Sequence, residues 1–149
     1  MTFERTASEN KDFLNLVALL DEDLARRDGE DHAFYAQFDT LDHIKNVVVG
    51  YQGNYAVGCG AFKPYNNTTA EIKRMFVRPD FRGQGIAKGI LSALENWASE
   101  YGFTNCILET GTNNPQAIQL YTKMGYSIIP NYDQYKNVVT SVCLGKSIV

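Results

Sequence analysis

The chain has 149 residues, a hydrophobic fraction of 44% and a formal net charge of −3. These values predict a single folded domain, residues 1–149, long enough to bury about two thirds of its unfolded surface. No apolar run approaches the roughly 18 residues of a membrane span, and residues 1–5 lack the basic and apolar regions of a secretion signal. A cytoplasmic protein is therefore expected, with no membrane partner.

The charge is distributed unevenly along the chain. Residues 1–42 hold eleven acidic and four basic side chains, whereas residues 43–149 hold six acidic and ten basic ones. Five of the basic residues fall within sixteen positions: Lys73, Arg74, Arg78, Arg82 and Lys88. A solvated, unevenly charged surface would explain this pattern, and so would an anionic ligand at the cluster with a cationic one facing the acidic segment. Nucleic acid is disfavoured because the chain is acidic overall.

Cysteine and histidine usage predicts no metal site and no disulfide framework. Cys59, Cys106 and Cys143 are an odd number, lie far apart and fall in apolar stretches typical of strands. His32 and His43 have no further ligand at metal-binding spacing.

The predicted elements alternate between strands and helices. In the first half the patterns predict a strand at 2–6, an amphipathic helix at 9–27 capped by Ser8, a loop or short broken helix at 28–40, and strands at 47–51, 55–62 and 70–77. In the second half they predict a helix at 85–101, a strand at 104–110, a helix at 114–124 with Asn114 as cap, and strands at 126–129 and 138–144. This order predicts a mixed α/β fold with a central, mostly antiparallel sheet of six to seven strands and helices on both faces.

The most informative stretch runs from a strand through a turn into the long helix, at 77–88. Gly83 and Gly85 remove side chains that would block a close ligand. The first helical turn has unpaired amides and the positive end of the helix dipole, which together favour a phosphate or pyrophosphate. Arg82 and Lys88 add formal charge there. A tight strand-to-helix turn without a ligand is the plainer alternative.

Here the chain resembles the GNAT superfamily, whose acetyl-CoA signature is Gln or Arg, two residues, Gly, one residue, then Gly or Ala. Arg82, Gly85 and Ala87 fill it. Residues 70–77 resemble the family's fourth strand and residues 114–126 its closing helix and turn, so the resemblance covers about residues 47–129 in correct order. It implies a GNAT-like acyl-CoA N-acyltransferase fold and acetyl-CoA as cosubstrate.

The resemblance also assigns cofactor contacts. Backbone of Met75, Phe76 and Val77 would pair with the pantetheine arm, and an amide near Met75 or Phe76 would stabilise charge on the thioester oxygen. Asn114 would contact the cofactor and Lys123 would reach its phosphates. The amides that would hold the pyrophosphate belong to Arg82, Gly83, Gln84, Gly85, Ile86, Ala87 and Lys88.

Two further residues are predicted catalytic. Because an alkyl ammonium has a pKa near ~10.4 and a thiol near ~8.5, the amine must lose a proton and the leaving thiolate benefits from gaining one. By resemblance, Tyr121 would protonate the thiolate, unless it is a half-buried core aromatic. Glu71 occupies the general-base position of histone-acetylating relatives, unless it is an exposed carboxylate paired with Lys63 or Lys73. Strict strand alternation puts Ile72, Arg74 and Phe76 on the opposite face from Glu71, Lys73 and Met75.

The predicted reaction is transfer of an acetyl group from acetyl-CoA to a primary amine of a small molecule or protein, by direct attack in a ternary complex. The acidic residues 1–42 favour a cationic acceptor, and a homodimer is compatible with such folds. A non-catalytic acetyl-CoA sensor is an alternative. A dinucleotide-dependent oxidoreductase is another, with Glu109 as the ribose-binding acid, although Lys88 replaces the final glycine of that fingerprint.

Overall fold

The computed structural model describes residues 1–29 and 44–149, which form one sheet with helices on both sides. The elements are β1 (Thr2–Thr6), α1 (Lys11–Asp28), β2 (Asn46–Gln52), β3 (Tyr55–Pro64), β4 (Thr69–Val77), α2 (Ile86–Glu100), β5 (Asn105–Gly111), α3 (Pro115–Lys123), β6 (Ser127–Ile129) and β7 (Ser141–Ser147). Short 3-10 turns lie at Pro79–Phe81 and Asp133–Tyr135. Most of the loop or short helix predicted for 28–40 lies outside the described residues.

The seven strands are arranged in the order β1-β2-β3-β4-β5-β7-β6. Every neighbouring pair is antiparallel except β4 and β5. The predicted mixed, mostly antiparallel sheet is thus confirmed. A doubly wound parallel sheet, which the oxidoreductase alternative requires, is not what these strands form.

Two apolar cores cover the two faces of the sheet. Ile90 and Leu94 of α2 pack with Val48, whereas Phe13 of α1 packs with Val47 and Val49. Successive strand residues point to opposite faces, so this division places α1 on one side and α2 and α3 on the other. Helices on both faces are therefore confirmed.

Two predicted boundaries are wrong for identifiable reasons. Asn10, and not Ser8, caps α1, because the Asn10 carboxamide oxygen accepts a hydrogen bond from the Phe13 amide at 3.0 Å, while the Ser8 amide donates to the Ile44 carbonyl. The last strand runs over Ser141–Ser147 instead of 138–144. The carboxamide nitrogen of Asn131 lies within 3.2 Å of the Tyr135, Val138 and Ser141 carbonyls and ties the preceding segment into a turn.

The three cysteines are free and buried in β3, β5 and β7, as predicted. Burial raises the pKa of Cys59 and of Cys106 to about 12. In residues 1–29 and 44–149 no cluster of three or more metal-type ligands is found, and no helix there is both long and apolar enough to cross a bilayer.

The β4 strand contains a bulge that changes which side chains share a face. Cys59 pairs with Phe76 and Ala61 with Lys73, so two β4 residues, Arg74 and Met75, lie opposite a single β3 residue between them. Arg74 adopts a left-handed φ of 61°. As a result Ile72 and Met75 both pack in the α2–α3 core, whereas Phe76 packs against α1. The predicted grouping of Ile72, Arg74 and Phe76 on one face, with Met75 on the other, is therefore wrong.

Beyond their first residues, β4 and β5 separate. Their pairing covers three positions, from Thr69 with Asn105 to Glu71 with Ile107. In contrast, β5 pairs with β7 along its whole length, from Asn105 to Gly111. Within residues 1–29 and 44–149, the part of β4 that follows Glu71 therefore has a strand partner on its β3 side and none on its β5 side.

Candidate active site

A cavity of about 580 Å³ occupies the space where β4 and β5 separate. Twelve of the site residues predicted from the sequence line it: Glu71, Met75, Phe76, Val77, Arg82, Gly83, Gly85, Ile86, Ala87, Lys88, Asn114 and Tyr121. Gln84 and Lys123 lie outside the lining, and their contacts with a cofactor remain predictions. Residues from α1, including Leu20, Asp23 and Arg27, close the far side.

The turn between β4 and α2 forms one wall of this cavity. Gly83 and Gly85 have φ angles of 78° and 81°, in the left-handed region that favours glycine. A Cβ built on either glycine would meet no described residue within 4 Å, so none of these residues fills the space in front of the turn. The first intrahelical bond runs from the Gly89 amide to the Gly85 carbonyl, which leaves the amides of the first turn of α2 without helical partners.

Basic side chains also line this cavity. Lys73, Arg74, Arg82 and Lys88 line the cavity. Arg78 does not, because its Nε donates to the Ala56 carbonyl at 2.7 Å and its guanidinium stacks on a tyrosine ring of β3. One Arg82 donor is used within the protein, because its Nε donates to the Val77 carbonyl at 2.9 Å. Four of the five clustered basic residues therefore line the cavity, and the fifth, Arg78, contacts β3 instead.

Tyr121 lies on the last turn of α3 and is 7% exposed. Its ring contacts Tyr126, with centroids 5.8 Å apart. Among the described residues its hydroxyl has no hydrogen-bond partner, although the residue lines the cavity. Burial raises the pKa of this phenol above its ordinary value of 10, which keeps the hydroxyl protonated at neutral pH.

Asn114 caps α3, as predicted, and also lines the cavity. Its carboxamide oxygen accepts a hydrogen bond from the Ala117 amide at 3.2 Å, and Pro115 occupies the first helical position. The oxygen is therefore committed to the helix. A ligand contact by Asn114 would use its carboxamide nitrogen.

Glu71 is buried, with 6% exposed, and is the last β4 residue paired with β5. Its Oε2 accepts a hydrogen bond from the Tyr132 hydroxyl at 3.0 Å, and its Oε1 lies 4.0 Å from Lys63 Nζ. The alternative of an exposed strand carboxylate is therefore wrong, although the pairing with Lys63 is present. Glu71 also lines a second, polar cavity of about 440 Å³ together with Lys63, Tyr65 and Asp133.

Sequence reasoning missed Tyr132 and the cavity residues from α1 and β5. Tyr132 lies 61 residues from Glu71, and the only local signal is the tyrosine-rich run at 132–135 between β6 and β7. The acidic residues Asp39 and Asp42, expected to face a cationic acceptor, lie outside the described residues.

Several proteins with similar sequences are named as acetyltransferases. The profile of the acetyltransferase (GNAT) family matches residues 13–126. An IAA acetyltransferase of Azospirillum brasilense is 36% identical over 81 residues, covering 54% of this chain and 53% of that protein. The N-acetyltransferase YjgM of Escherichia coli K12, whose function is uncharacterized, is 35% identical over 55% of this chain and 50% of its own length. The chain thus spans about half the length of these relatives.

Solved structures share the fold along the whole chain. A Klebsiella pneumoniae protein predicted to be an acyl-CoA N-acyltransferase superposes with a TM-score of 0.82 at 27% identity, covering 99% of this chain and 97% of that one. The structure of yncA from Salmonella typhimurium, which holds acetyl-CoA, gives a TM-score of 0.71 at 15% identity, covering 100% and 94%. With the profile match over residues 13–126, these comparisons establish that the chain belongs to the GNAT acetyltransferase family.

Proposed function

We propose that the chain is an acetyl-CoA-dependent N-acetyltransferase that transfers the acetyl group to a primary amine by direct attack in a ternary complex. The observation that carries this proposal is the separation of β4 from β5. It leaves one edge of β4 without a strand partner, and it places that edge beside a glycine turn at a helix start.

The described residues fit acetyl-CoA. The unpartnered edge at Met75–Val77 offers backbone groups to the amides of a pantetheine arm, in the manner of strand addition. The turn from Arg82 to Lys88 offers unpaired amides, the positive end of a helix dipole and two cations to a pyrophosphate. Relatives of the same fold, including yncA, have been solved with acetyl-CoA bound.

Acetyl-CoA supplies an activated thioester carbonyl, and the protein manages the charges and protons around it. An amide near Met75 or Phe76 stabilises negative charge on the thioester oxygen. Glu71 takes the proton that the acceptor ammonium must lose. As the amine nitrogen bonds to the carbonyl carbon and the carbon–sulfur bond breaks, the Tyr121 hydroxyl gives its proton to the departing sulfur.

The protonated, unengaged hydroxyl of Tyr121 favours an enzyme over a sensor. A module that only binds acetyl-CoA needs no proton donor at the thiol, yet Tyr121 lines the cavity with a hydroxyl that makes no hydrogen bond to the described residues. We further propose that the acceptor is cationic and that the protein acts in the cytoplasm without metal or nucleic acid. A homodimer is compatible with this function.

The test combines binding with turnover. Calorimetry should show that acetyl-CoA binds and that NAD does not. A panel of amines that includes amino acids, polyamines, aminoglycosides and lysine peptides should then release free thiol in an amine-dependent way. Binding of acetyl-CoA without thiol release from any amine would favour the sensor, and no binding would remove the proposal.

A further inference from the structure

The Glu71 carboxylate is approached at both oxygens by side chains from other elements. Tyr132 donates to Oε2 at 3.0 Å, and Lys63 of β3 lies 4.0 Å from Oε1. The carboxylate also lines both the main cavity and the smaller polar one. Since a carboxylate rotates freely unless an oxygen is held, the Tyr132 contact decides how the second oxygen is presented.

Tyr132 itself is held firmly by its neighbours. Its ring packs edge-on between Tyr65 and Tyr135, at centroid distances of 5.4 and 5.7 Å. The Tyr65 ring supplies this packing, while its exposed hydroxyl donates to Asp133 at 3.1 Å. On the other side of the 3-10 turn, the Asn131 carboxamide nitrogen donates to three backbone carbonyls. The hydroxyl that reaches Glu71 is thus fixed by packing on two sides.

The charges around this contact keep Tyr132 a donor. Burial, followed by the nearby Glu71 carboxylate, raises the pKa of the Tyr132 phenol far above its ordinary value of 10. The groups that face the pair are Lys63 and Tyr65 from β3 and its turn, Asp133 from the 3-10 turn and Cys143 from β7. Burial raises the pKa of Cys143 to about 11, so this thiol is uncharged at neutral pH. Lys63 is the only basic side chain among these groups.

We infer that Tyr132 is a positioning residue for acceptor deprotonation: it holds Glu71 Oε2 so that Oε1 meets the ammonium of the acceptor. In this step a nitrogen–hydrogen bond of the ammonium breaks and an oxygen–hydrogen bond forms on Glu71, while Tyr132 keeps its own proton. The inference rests on the proposed function, because it assigns a part of the same reaction.

The experiment is a double-mutant cycle with the amine that turns over fastest in the panel. Tyr132→Phe keeps the ring and removes the hydroxyl, and Glu71→Gln removes the base. Since a positioned base typically contributes about 10²- to 10⁴-fold, Glu71→Gln should lose kcat on that scale and Tyr132→Phe a smaller part of it, about 10-fold. The double variant should be no slower than Glu71→Gln alone, because Tyr132 acts only through Glu71. The KM for acetyl-CoA should stay unchanged in all three.

Tyr65→Phe is the matched control. It removes a hydroxyl from the same aromatic cluster, but one that bonds Asp133 and not Glu71. Its kcat should stay near that of the wild type. Should Tyr132→Phe fail to fold, Glu71→Asp takes its place, because it draws the carboxylate away from Tyr132 and leaves the cluster intact. A loss of kcat in that variant supports the inference.

Three results would overturn it. Multiplicative losses in the double variant would show that Tyr132 acts independently of Glu71, and equal losses in Tyr65→Phe would show a purely structural role. Full activity in Glu71→Gln would show that Glu71 is not the base. Thiol release by the wild type would still support the proposed acetyl transfer. Failure of the proposed function is distinct, because it appears in the wild-type panel before any variant is made.

Discussion

The two edges of β4 differ although they belong to one strand. Toward β3 the strand is paired from Ala70 to Val77, interrupted only by the bulge. Toward β5 the pairing stops at Glu71 and a cavity begins. Backbone groups that have no strand partner need another partner, so the same sheet geometry that closes one edge leaves room for a ligand at the other.

Glycines show the same contrast. At the closed edge, a Cβ on Gly60 would lie 2.5 Å from Met75 Sδ and 2.9 Å from side chains of Ile90 and Leu94. At the open edge, a Cβ on Gly85 would meet nothing, yet its φ of 81° excludes most other residues. Packing therefore explains the first glycine, whereas backbone conformation and room for a ligand explain the second.

The largest expected effect is at the open edge, in Tyr121→Phe. The variant keeps the ring contact with Tyr126 and deletes the proton donor, so folding should change little while acetyl transfer slows by about 10²- to 10⁴-fold. Pre-steady-state measurement isolates this step from product release. The control is Tyr126→Phe, which removes the neighbouring hydroxyl bonded to Glu95. An equally fast chemical step in Tyr121→Phe would make this tyrosine a packing residue.

A second test separates the ligand from backbone strain. Gly85→Asp puts a negative charge before the first turn of α2, where it would repel the pyrophosphate. Acetyl-CoA binding should weaken by at least about 10-fold, which corresponds to roughly 1.4 kcal/mol of binding free energy. Gly102→Asp carries similar strain at a φ of 91°, also in open space, but lies beyond the other end of α2. Gly102→Asp should lose more stability, because its charge lies at the negative end of the helix dipole, yet only Gly85→Asp should lose affinity by calorimetry. Equal acetyl-CoA affinities of the two variants would show that the pyrophosphate does not bind at this turn.

At the closed edge, Gly60→Ala should cost about 1–3 kcal/mol of unfolding free energy, because Met75, Ile90 and Leu94 cannot all withdraw from a packed core. Gly145→Ala in β7 is its control, since there the nearest atoms lie at an ordinary 3.4–3.5 Å. Denaturant unfolding of both variants measures the difference. If Gly60→Ala is as stable as the wild type, the bulge side of β4 is more adaptable than its packing implies.

The smallest effect concerns Asn114, where capping and ligand contact coincide. Asn114→Ala should lose about 1 kcal/mol by removing the cap, whereas Asn114→Ser restores a capping oxygen and most of that stability. Neither retains the carboxamide nitrogen. Weaker acetyl-CoA binding in both variants would therefore identify that nitrogen as a contact, and unchanged binding in Asn114→Ser would restrict Asn114 to capping.

Local signals in the sequence predicted the parts of the site that depend on neighbours along the chain. Asn114 followed by Pro115 predicted the start of α3, and Gly83 and Gly85 predicted the turn. Neighbouring caps were harder: Ser8 and Asn10 are both good capping residues, and the choice depends on Ile44, which takes the Ser8 amide.

Features that depend on distant partners were not predictable in this way. The bulge at Arg74 exists only in the register with β3, and the separation of β4 from β5 depends on how two strands are packed. The contact of Tyr132 with Glu71 joins residues 61 positions apart. Each of these is a property of the assembled sheet and leaves no periodic trace in the chain.

The bulge divides β4 into two segments whose side chains alternate in opposite phase. Up to Lys73 the side chains alternate in one phase, and from Arg74 onward they alternate in the other. Straightening the strand at the same four-residue spacing would restore a single phase and turn either the Glu71 carboxylate or the Met75 side chain to the opposite face. The left-handed conformation of Arg74 therefore keeps the Glu71 carboxylate and the Met75 side chain on opposite faces of β4.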